Sequence, residues 1–196
     1  MSEYSVIAAV GETLISLLRE NMSDLISSES ITLLSPADVQ GQNIRLTLFL
    51  YNIVENPHLK NQGAPDVDPS RHRYPPLVFD LYYLLTTYAS SQIPDLTERT
   101  LEEHRILGKA MSVLYDNAIL SGSIMRGSLS GSEEELRIML NSLSLDDLNR
   151  IWTSFPNCSY RPSVSYLVTP AVIDSKRETP ISRVLTRDLR YYTPGA

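Results

Sequence analysis

Two apolar stretches separated by a long polar span constrain the fold of this chain more than any other feature. The first covers residues 44–54 and the second covers residues 74–86. Both are rich in leucine, aromatic and β-branched residues, which is typical of β-strands. Side chains alternate along a strand, and both faces of the first stretch become apolar toward its end. The pattern therefore predicts two long strands, with the first in the middle of a covered sheet rather than at a wet edge.

Helices are predicted on both sides of these strands in the sequence. Apolar residues recur at helical spacing over residues 4–21 and indicate an amphipathic helix with its stripe on the sheet. A second helix is predicted with either Thr97 or Thr100 as its cap. The residues that recur at helical spacing and form its predicted buried stripe are Leu101, His104, Leu107, Gly108, Met111, Leu114 and Tyr115.

Smaller elements complete a mixed α+β arrangement. Ser144 and Asp147 resemble a capping box, which predicts a short helix over residues 145–155. Shorter apolar runs predict three further strands, at residues 31–34, 134–140 and 160–173. Pro162 and Pro170 place the last of these at a sheet edge or at a bulge, because proline cannot donate to the ladder. The sequence thus predicts a sheet flanked by helices, with a folded domain over residues 1–175.

The segment from residue 117 to residue 132 is rich in serine and glycine and is predicted to be a flexible loop. Residues 127–131 superficially resemble the nucleophile elbow of hydrolases. That motif requires serine at its centre, where this chain has Leu129. The segment therefore does not indicate a catalytic serine.

Composition excludes several classes of function. The net charge of −6 argues against a nucleic-acid-binding protein, which would normally present a basic face. Cys158 is the only cysteine, so no internal disulfide and no cysteine pair for a metal are possible. No apolar run approaches the about 20 residues of a membrane span. The first residues lack a basic leader, so we expect no signal peptide.

Two segments could serve as contact arms. A span as long as residues 55–74 without its own periodicity is usually functional or mobile in a compact domain. The C-terminal segment, residues 176–196, combines arginines with leucines and tyrosines. It is either a solvated tail or an arm that adds to a partner's sheet or docks on an acidic neighbour.

Several motifs, in this order, resemble one protein family over roughly residues 5–175. They are Phe-Leu-Tyr-Asn-Ile-Val-Glu-Asn-Pro-His-Leu-Lys-Asn at 49–61, Pro-Pro-Leu-Val-Phe-Asp-Leu-Tyr-Tyr-Leu-Leu-Thr at 75–86, Glu-His-Arg-Ile-Leu-Gly-Lys-Ala-Met at 103–111, Leu-Ser-Leu-Asp-Asp-Leu-Asn-Arg-Ile-Trp at 143–152 and Ser-Val-Ser-Tyr-Leu-Val at 163–168. Together they are similar to the cap, or tail-tube terminator, proteins of phage-tail-like contractile injection systems.

The resemblance implies a tail-terminator-like fold and a structural role. Its members are expected to form a homo-hexameric ring on the last layer of inner tube and sheath, to end polymerisation and to couple tube to sheath. The implied partners are therefore the inner-tube protein and the sheath protein, with no cofactor. The implied setting is assembly in the cytoplasm, within a particle that is released in some systems.

Residue roles follow from the resemblance as expectations. Tube or ring contacts are assigned to four residues in the long span, Glu55, Arg71, Arg73 and Tyr74. Some family members carry a further domain after the last strand, whereas this sequence ends at Ala196. The sheath contact is therefore assigned to the basic, aromatic C-terminal segment, with Arg183, Arg187, Arg190, Tyr191 and Tyr192. Arginine and tyrosine are favoured at interface hot spots.

Two other functional classes remain open from the sequence. A non-enzymatic scaffold or adaptor domain would be a monomer that ignores tube and sheath. A hydrolase would need some of the scattered serine, histidine and aspartate residues to meet, and no spacing forces any of them together.

Overall fold

The computed structural model describes residues 4–60 and 71–180, and within them the chain forms three α-helices and eight strands. The helices are α1 (Val6–Asn21), α2 (Leu96–Asp116) and α3 (Leu145–Thr153). The strands are β1 (Ile31–Thr32), β2 (Leu46–Glu55), β3 (Arg71–Arg73), β4 (Leu77–Thr87), β5 (Ile119–Leu120), β6 (Leu136–Asn141), β7 (Ser163–Ile173) and β8 (Glu178–Pro180). The predicted α+β class is confirmed.

Six strands form one mixed sheet in the order β1-β2-β4-β7-β6-β5. Only the β1–β2 pair is parallel, and every other pair is antiparallel. The long β4 lies between β2 and β7 and holds the centre of the sheet. Strands β3 and β8 form a separate antiparallel pair.

The main core lies between one face of the sheet and helices α1 and α2. The predicted stripe of α1 is buried there, including Val10, Leu14 and Leu18. Alternate residues of β4, such as Leu81 and Leu85, point into the same core. We call this side of the sheet, which carries the two long helices α1 and α2, the helix face. Burying a leucine side chain contributes roughly 1.5–3 kcal/mol, so this layer stabilises most of the fold.

The opposite face of the sheet carries the short helix α3. Trp152 and Phe155 pack there on Leu84, and the two aromatic rings meet edge to face at 5.6 Å between centroids. The predicted role of Trp152 as a core anchor is confirmed. Ser144 caps α3 as predicted, because its hydroxyl oxygen accepts the amide of Asp147 at 3.2 Å. The pKa of the Asp147 carboxyl is lowered because that hydroxyl also donates to it.

The predicted central position of β2 is wrong, and one of the two alternatives predicted for β7 is confirmed. Strand β2 is not central: β1 pairs with it only at Leu46 and Thr47, and residues 52–55 are exposed. Strand β7 is not an edge, because it lies between β4 and β6. The predicted bulge is confirmed, since the β4–β7 register shifts beside Pro170, where β7 holds one extra residue.

The serine- and glycine-rich segment is not a flexible loop. Leu120, Met125 and Leu129 from it are fully buried in the main core. Gly127 has a φ of +58°, and a Cβ there would lie 3.3 Å from the Ala9 Cα of α1. Glycine is required because only it tolerates both this backbone conformation and this close approach. The small residue Gly127 therefore allows the segment to pack closely on α1.

Helix α2 begins earlier than predicted and buries a different stripe. Asp95, not a threonine, is its N-cap, and its carboxylate accepts the amide of Glu98 at 2.7 Å. The buried residues of α2 are Ile106, Ala110, Val113 and Leu114, whereas Tyr115 is exposed.

Candidate interaction surfaces

The residues predicted for tube or ring contacts lie at one end of the sheet. Glu55 ends β2 and pairs with Phe79 in the register, and its carboxylate accepts from Lys60 Nζ at 2.9 Å. Arg71 and Arg73 are the outer residues of β3. Tyr74 follows β3 and is partly exposed. The structure therefore brings the predicted group to a single end of the molecule.

Tyr74 is held by a residue that the sequence reasoning did not select. The guanidinium of Arg177 lies 4.3 Å from the centroid of the Tyr74 ring, in cation–π geometry. The Tyr74 amide also donates to the Arg177 carbonyl at 3.1 Å. Both contacts cross between the long span and the C-terminal segment, which are 103 residues apart in the chain. No local sequence pattern could have indicated this pairing.

Asn56 fixes the direction in which the chain leaves β2. Its side-chain oxygen accepts the amides of His58 and Leu59 at 3.0 and 3.1 Å, an Asx turn. Its side-chain nitrogen donates to Asp80 Oδ1 at 2.9 Å, and Thr169 donates to the same oxygen. Asn56 is buried and links three strands. Asparagine before proline is a turn signal, so the sequence did carry this information.

The residues predicted for the sheath contact, Arg183, Arg187, Arg190, Tyr191 and Tyr192, lie outside the described residues. The segment that leads to them is described. Strand β8 pairs with β3, so that Glu178 is opposite Arg73 and Pro180 is opposite Arg71. The beginning of the C-terminal segment and the end of the long span thus form one two-stranded unit, which we call the β3–β8 arm.

Both edges of the main sheet are covered over only two or three residues in the described part of the chain. On one side, β1 covers Leu46 and Thr47 of β2. On the other side, β5 covers Leu136 and Arg137 of β6, and the Ile138 amide donates to the Ala118 carbonyl at 2.8 Å, so the open part of β6 begins at Met139. Strands with open edges can pair with another chain.

An apolar groove follows the open part of β6. It has a volume of about 310 Å³ and is lined by Met111, Ser112, Leu114, Tyr115, Ala118, Ile138, Leu140 and Tyr166. Burial raises the pKa of the Tyr166 phenol, which therefore stays neutral at physiological pH. Tyr115 and Leu140 are strongly exposed, at 82% and 57%. Large exposed apolar patches of this kind mark interaction surfaces.

A second cavity, of about 420 Å³, lies at the opposite end of the sheet from the β3–β8 arm. Trp152, Cys158, Ser159 and Arg161 are among its lining residues. Its lining contains no histidine, aspartate or glutamate among the described residues, so no general base adjoins the thiol or the hydroxyl. Arg161 instead pairs with Glu103 at 2.8 Å.

Neither a metal centre nor a membrane span is found in what the structure covers. Over residues 4–60 and 71–180, no three His, Cys, Asp or Glu side chains are grouped to hold a metal ion. No helix within those ranges has the length and hydropathy needed to cross a bilayer.

Solved structures with the same fold come from contractile injection systems. The sheath/tube terminator of the extracellular contractile injection system PVC, in its extended state, matches 96% of this chain with a TM-score of 0.60 and 19% identity. The tube-terminating cap of the anti-feeding prophage matches 93% with a TM-score of 0.60 and 16% identity. The predicted tail-terminator-like fold is confirmed. This chain spans 65% and 60% of those two proteins.

The sequence comparison agrees with the structural one. The family described as the Pvc16 N-terminal domain matches residues 9–187, most of the chain. A comparison with curated proteins gives no significant match. The resemblance to cap and terminator proteins is thereby confirmed, and the chain belongs to the Pvc16 N-terminal domain family.

Proposed function

We propose that this protein is the structural cap of a contractile injection system, forming a homo-hexameric ring on the last layer of inner tube and sheath. The observation that carries the proposal is the shared fold with a sheath/tube terminator and a tube-terminating cap over more than nine tenths of the chain. Family membership supports it independently. The ring would assemble in the cytoplasm and remain in the particle after release.

A ring ends a helical stack when only one of its faces accepts the next layer. The tube's last subunits dock on that face, and the other face offers no acceptor for a further subunit. Six modest contacts held in one ring act at high effective concentration, so the cap stays seated even if each contact is weak. No step in this mechanism needs catalysis, and we infer that the protein is not an enzyme.

We assign the tube or ring contact to the end of the sheet that carries Glu55, Tyr74 and the β3–β8 arm. Tyr74 supports this assignment because it combines a partly exposed aromatic ring with a stacked arginine, a composition favoured at hot spots. We assign the sheath contact to the tail, residues 176–196, beyond a body of residues 1–175. Because β8 pairs with β3, a pull on the tail would reach the tube contact directly.

Charge reversal tests the tube contact. The double variant Arg71→Glu, Arg73→Glu should reduce tube-end binding at least about 10-fold, because like-charge contacts and lost arginine pairs weaken an interface. The measurement is co-sedimentation with purified inner tubes and the tube-length distribution by electron microscopy. The double variant Arg105→Glu, Arg150→Glu, in exposed positions on α2 and α3, is the control with the same change in net charge. Tubes of normal length with the double variant would contradict the assignment.

Truncation tests the sheath contact. Ending the chain after Pro180 preserves β8 and removes all five tail residues assigned to the sheath. The truncated ring should still bind tubes but lose sheath co-purification. Unchanged sheath co-purification would refute the assignment to the tail.

A scaffold or adaptor domain is the alternative. It would be a monomer without affinity for tube or sheath, so the same co-sedimentation experiment separates the two functions.

A further inference from the structure

We propose that neighbouring copies in the ring meet edge to edge, with the outer edge of β2 in one copy on the apolar groove beside β6 in the next. The proposal rests on the ring assembly proposed above and names the surfaces that form it. We call the two surfaces the β2 edge (residues 50–54) and the α2–β6 groove, which is the 310 Å³ groove described above.

A closed ring requires two different surfaces on opposite sides of each copy. Such a head-to-tail contact is heterologous, and it closes when each copy is rotated but not displaced along the axis. The β2 edge and the α2–β6 groove are at opposite sides of the same sheet. This placement lets the β2 edge of one copy contact the α2–β6 groove of the next copy around a ring.

The two open edges are level with each other along the strands. The register places Leu140 in one row with Tyr166, Tyr83 and Leu50 across the sheet. The next row on the same face of the sheet runs from Ile138 through Val168 and Leu81 to Ile53. A copy set beside the sheet without a shift along the strands thus brings β6 opposite residues 50–53 of β2. A contact without shift favours a closed ring over a rising helix.

Strand direction also fits this pairing. Three successive antiparallel pairs connect β2 to β6, so these two strands run in opposite directions. A β6 strand beside the β2 strand of an equally oriented copy is therefore antiparallel to it. Antiparallel pairing is slightly more stable per residue than parallel pairing.

Apolar side chains lie where this contact needs them. Ile53 is 47% exposed, and its row partner Leu81 places it on the helix face. The groove opens on that same face, between α2 and β6, and is flanked by the exposed Tyr115 and Leu140. A volume of about 310 Å³ can receive an isoleucine side chain from the next copy.

One ion pair lies beside each surface within each copy. Arg137 pairs with Glu135 at 3.1 Å beside the groove, and Lys60 pairs with Glu55 at 2.9 Å beside the β2 edge. These two pairs reduce the local repulsion between copies of a chain with net charge −6.

Two complementary variants test the proposal. Ile53→Glu damages only the β2 edge, and Leu140→Glu damages only the groove; both positions are exposed, so folding should be retained. Each variant alone should associate at least about 30-fold more weakly than wild type, as expected for a hot-spot change. Their equimolar mixture should form a heterodimer and no ring, because one intact edge meets one intact groove. Sedimentation velocity measures all three masses.

The control variant is Leu96→Glu, at the first turn of α2 and about 30 Å along the helix from Tyr115. It is 72% exposed and should keep the wild-type mass. With wild type that forms rings in solution, rings formed by either test variant, or a mixture that remains monomeric, would overturn the proposal.

Crosslinking extends the test to rings that form only on tubes. In a Cys158→Ser background, the changes Ile53→Cys and Leu140→Cys with a bismaleimide should give a ladder of linked copies on tube-bound protein. No ladder, either on tubes or in solution, would overturn the proposed interface.

If wild type caps tubes while the variants keep their rings, only the interface is wrong. If rings depend on these residues but ignore tubes, only the capping function is wrong.

Discussion

The two ends of the β2–β4 pair share the same hydrogen-bonded ladder but differ in what surrounds them. At one end, Leu46 and Leu48 of β2 are buried against the helices. At the other end, Ile53 and Val54 are equally apolar and are exposed. Sequence hydrophobicity is therefore the same at both ends, while burial within the chain is not. An apolar strand end that its own chain does not cover indicates a surface made for another molecule.

The most direct way to sharpen this comparison uses two leucines of one strand. Leu85 pairs with Leu48 at the buried end and is fully buried in the main core, whereas Leu77, eight residues earlier, is 49% exposed. Leu85→Ala should lower the free energy of unfolding by about 3 kcal/mol, because it removes buried contacts and leaves a cavity. Leu77→Ala should cost well under about 1 kcal/mol. Urea unfolding measures both, and equal losses would contradict the difference between the ends.

A smaller effect is expected from ion pairs at the two ends. Arg45 and Glu102, at the buried end, meet at 2.6 Å with side chains only 14% and 23% exposed. Glu102→Gln should lower the free energy of unfolding by about 1–2 kcal/mol at pH 7, since Arg45 loses its charged partner. Glu55→Gln, which breaks the exposed pair with Lys60, should change it by less than about 0.5 kcal/mol.

The buried pair should also respond to pH. Burial alone would raise the pKa of Glu102, but hydrogen bonds from the Ser90 amide and from Arg45 outweigh it and lower that pKa. A lowered pKa in the folded state stabilises the protein above the unfolded value, about 4.3, and this stabilisation is lost as the pH falls through the folded value. The difference between wild type and Glu102→Gln should therefore be constant above about pH 5 and shrink below pH 4. A difference that persists undiminished at pH 3 would contradict this.

The smallest expected effect concerns the arm. A double-mutant cycle with Tyr74→Leu and Arg177→Met should give a coupling energy of about 0.5–1 kcal/mol for the cation–π contact. In the Arg177→Met variant, hydrogen exchange of the Tyr74 amide should be faster than in wild type. The core amides should keep their protection, because the contact lies at the exposed end of the molecule. A coupling energy of zero would show that the arm is not held by this contact.

Local chemistry made much of the fold predictable from the sequence. The stripe of α1, the cap of α3 at Ser144 and the bulge at Pro170 each depend on residues close in the chain. Strand order depends on distant partners, so the apolar pattern of β2 alone predicts a central position that the structure does not show. Its apolar end has the same sequence pattern whether the covering surface comes from its own chain or from another.

The candidate site was predictable only in part, for the same reason. The sequence selects Glu55 and Tyr74 because they flank a long polar span, and their role in a contact stays a prediction. Arg177 was missed because its contact with Tyr74 depends on the pairing of β3 with β8 across the chain. Helical spacing predicts Tyr115 on the buried stripe of α2, although it is exposed, because spacing alone does not distinguish an exposed apolar residue from a core residue.

Growth of inner tubes in the presence of the purified chain tests the central claim most directly. Added at a small molar fraction relative to tube protein, a cap should bind one end of each tube as a ring and shorten the tubes, as seen by electron microscopy. Unchanged tube lengths, with the chain remaining free in the supernatant, would contradict the proposed capping function.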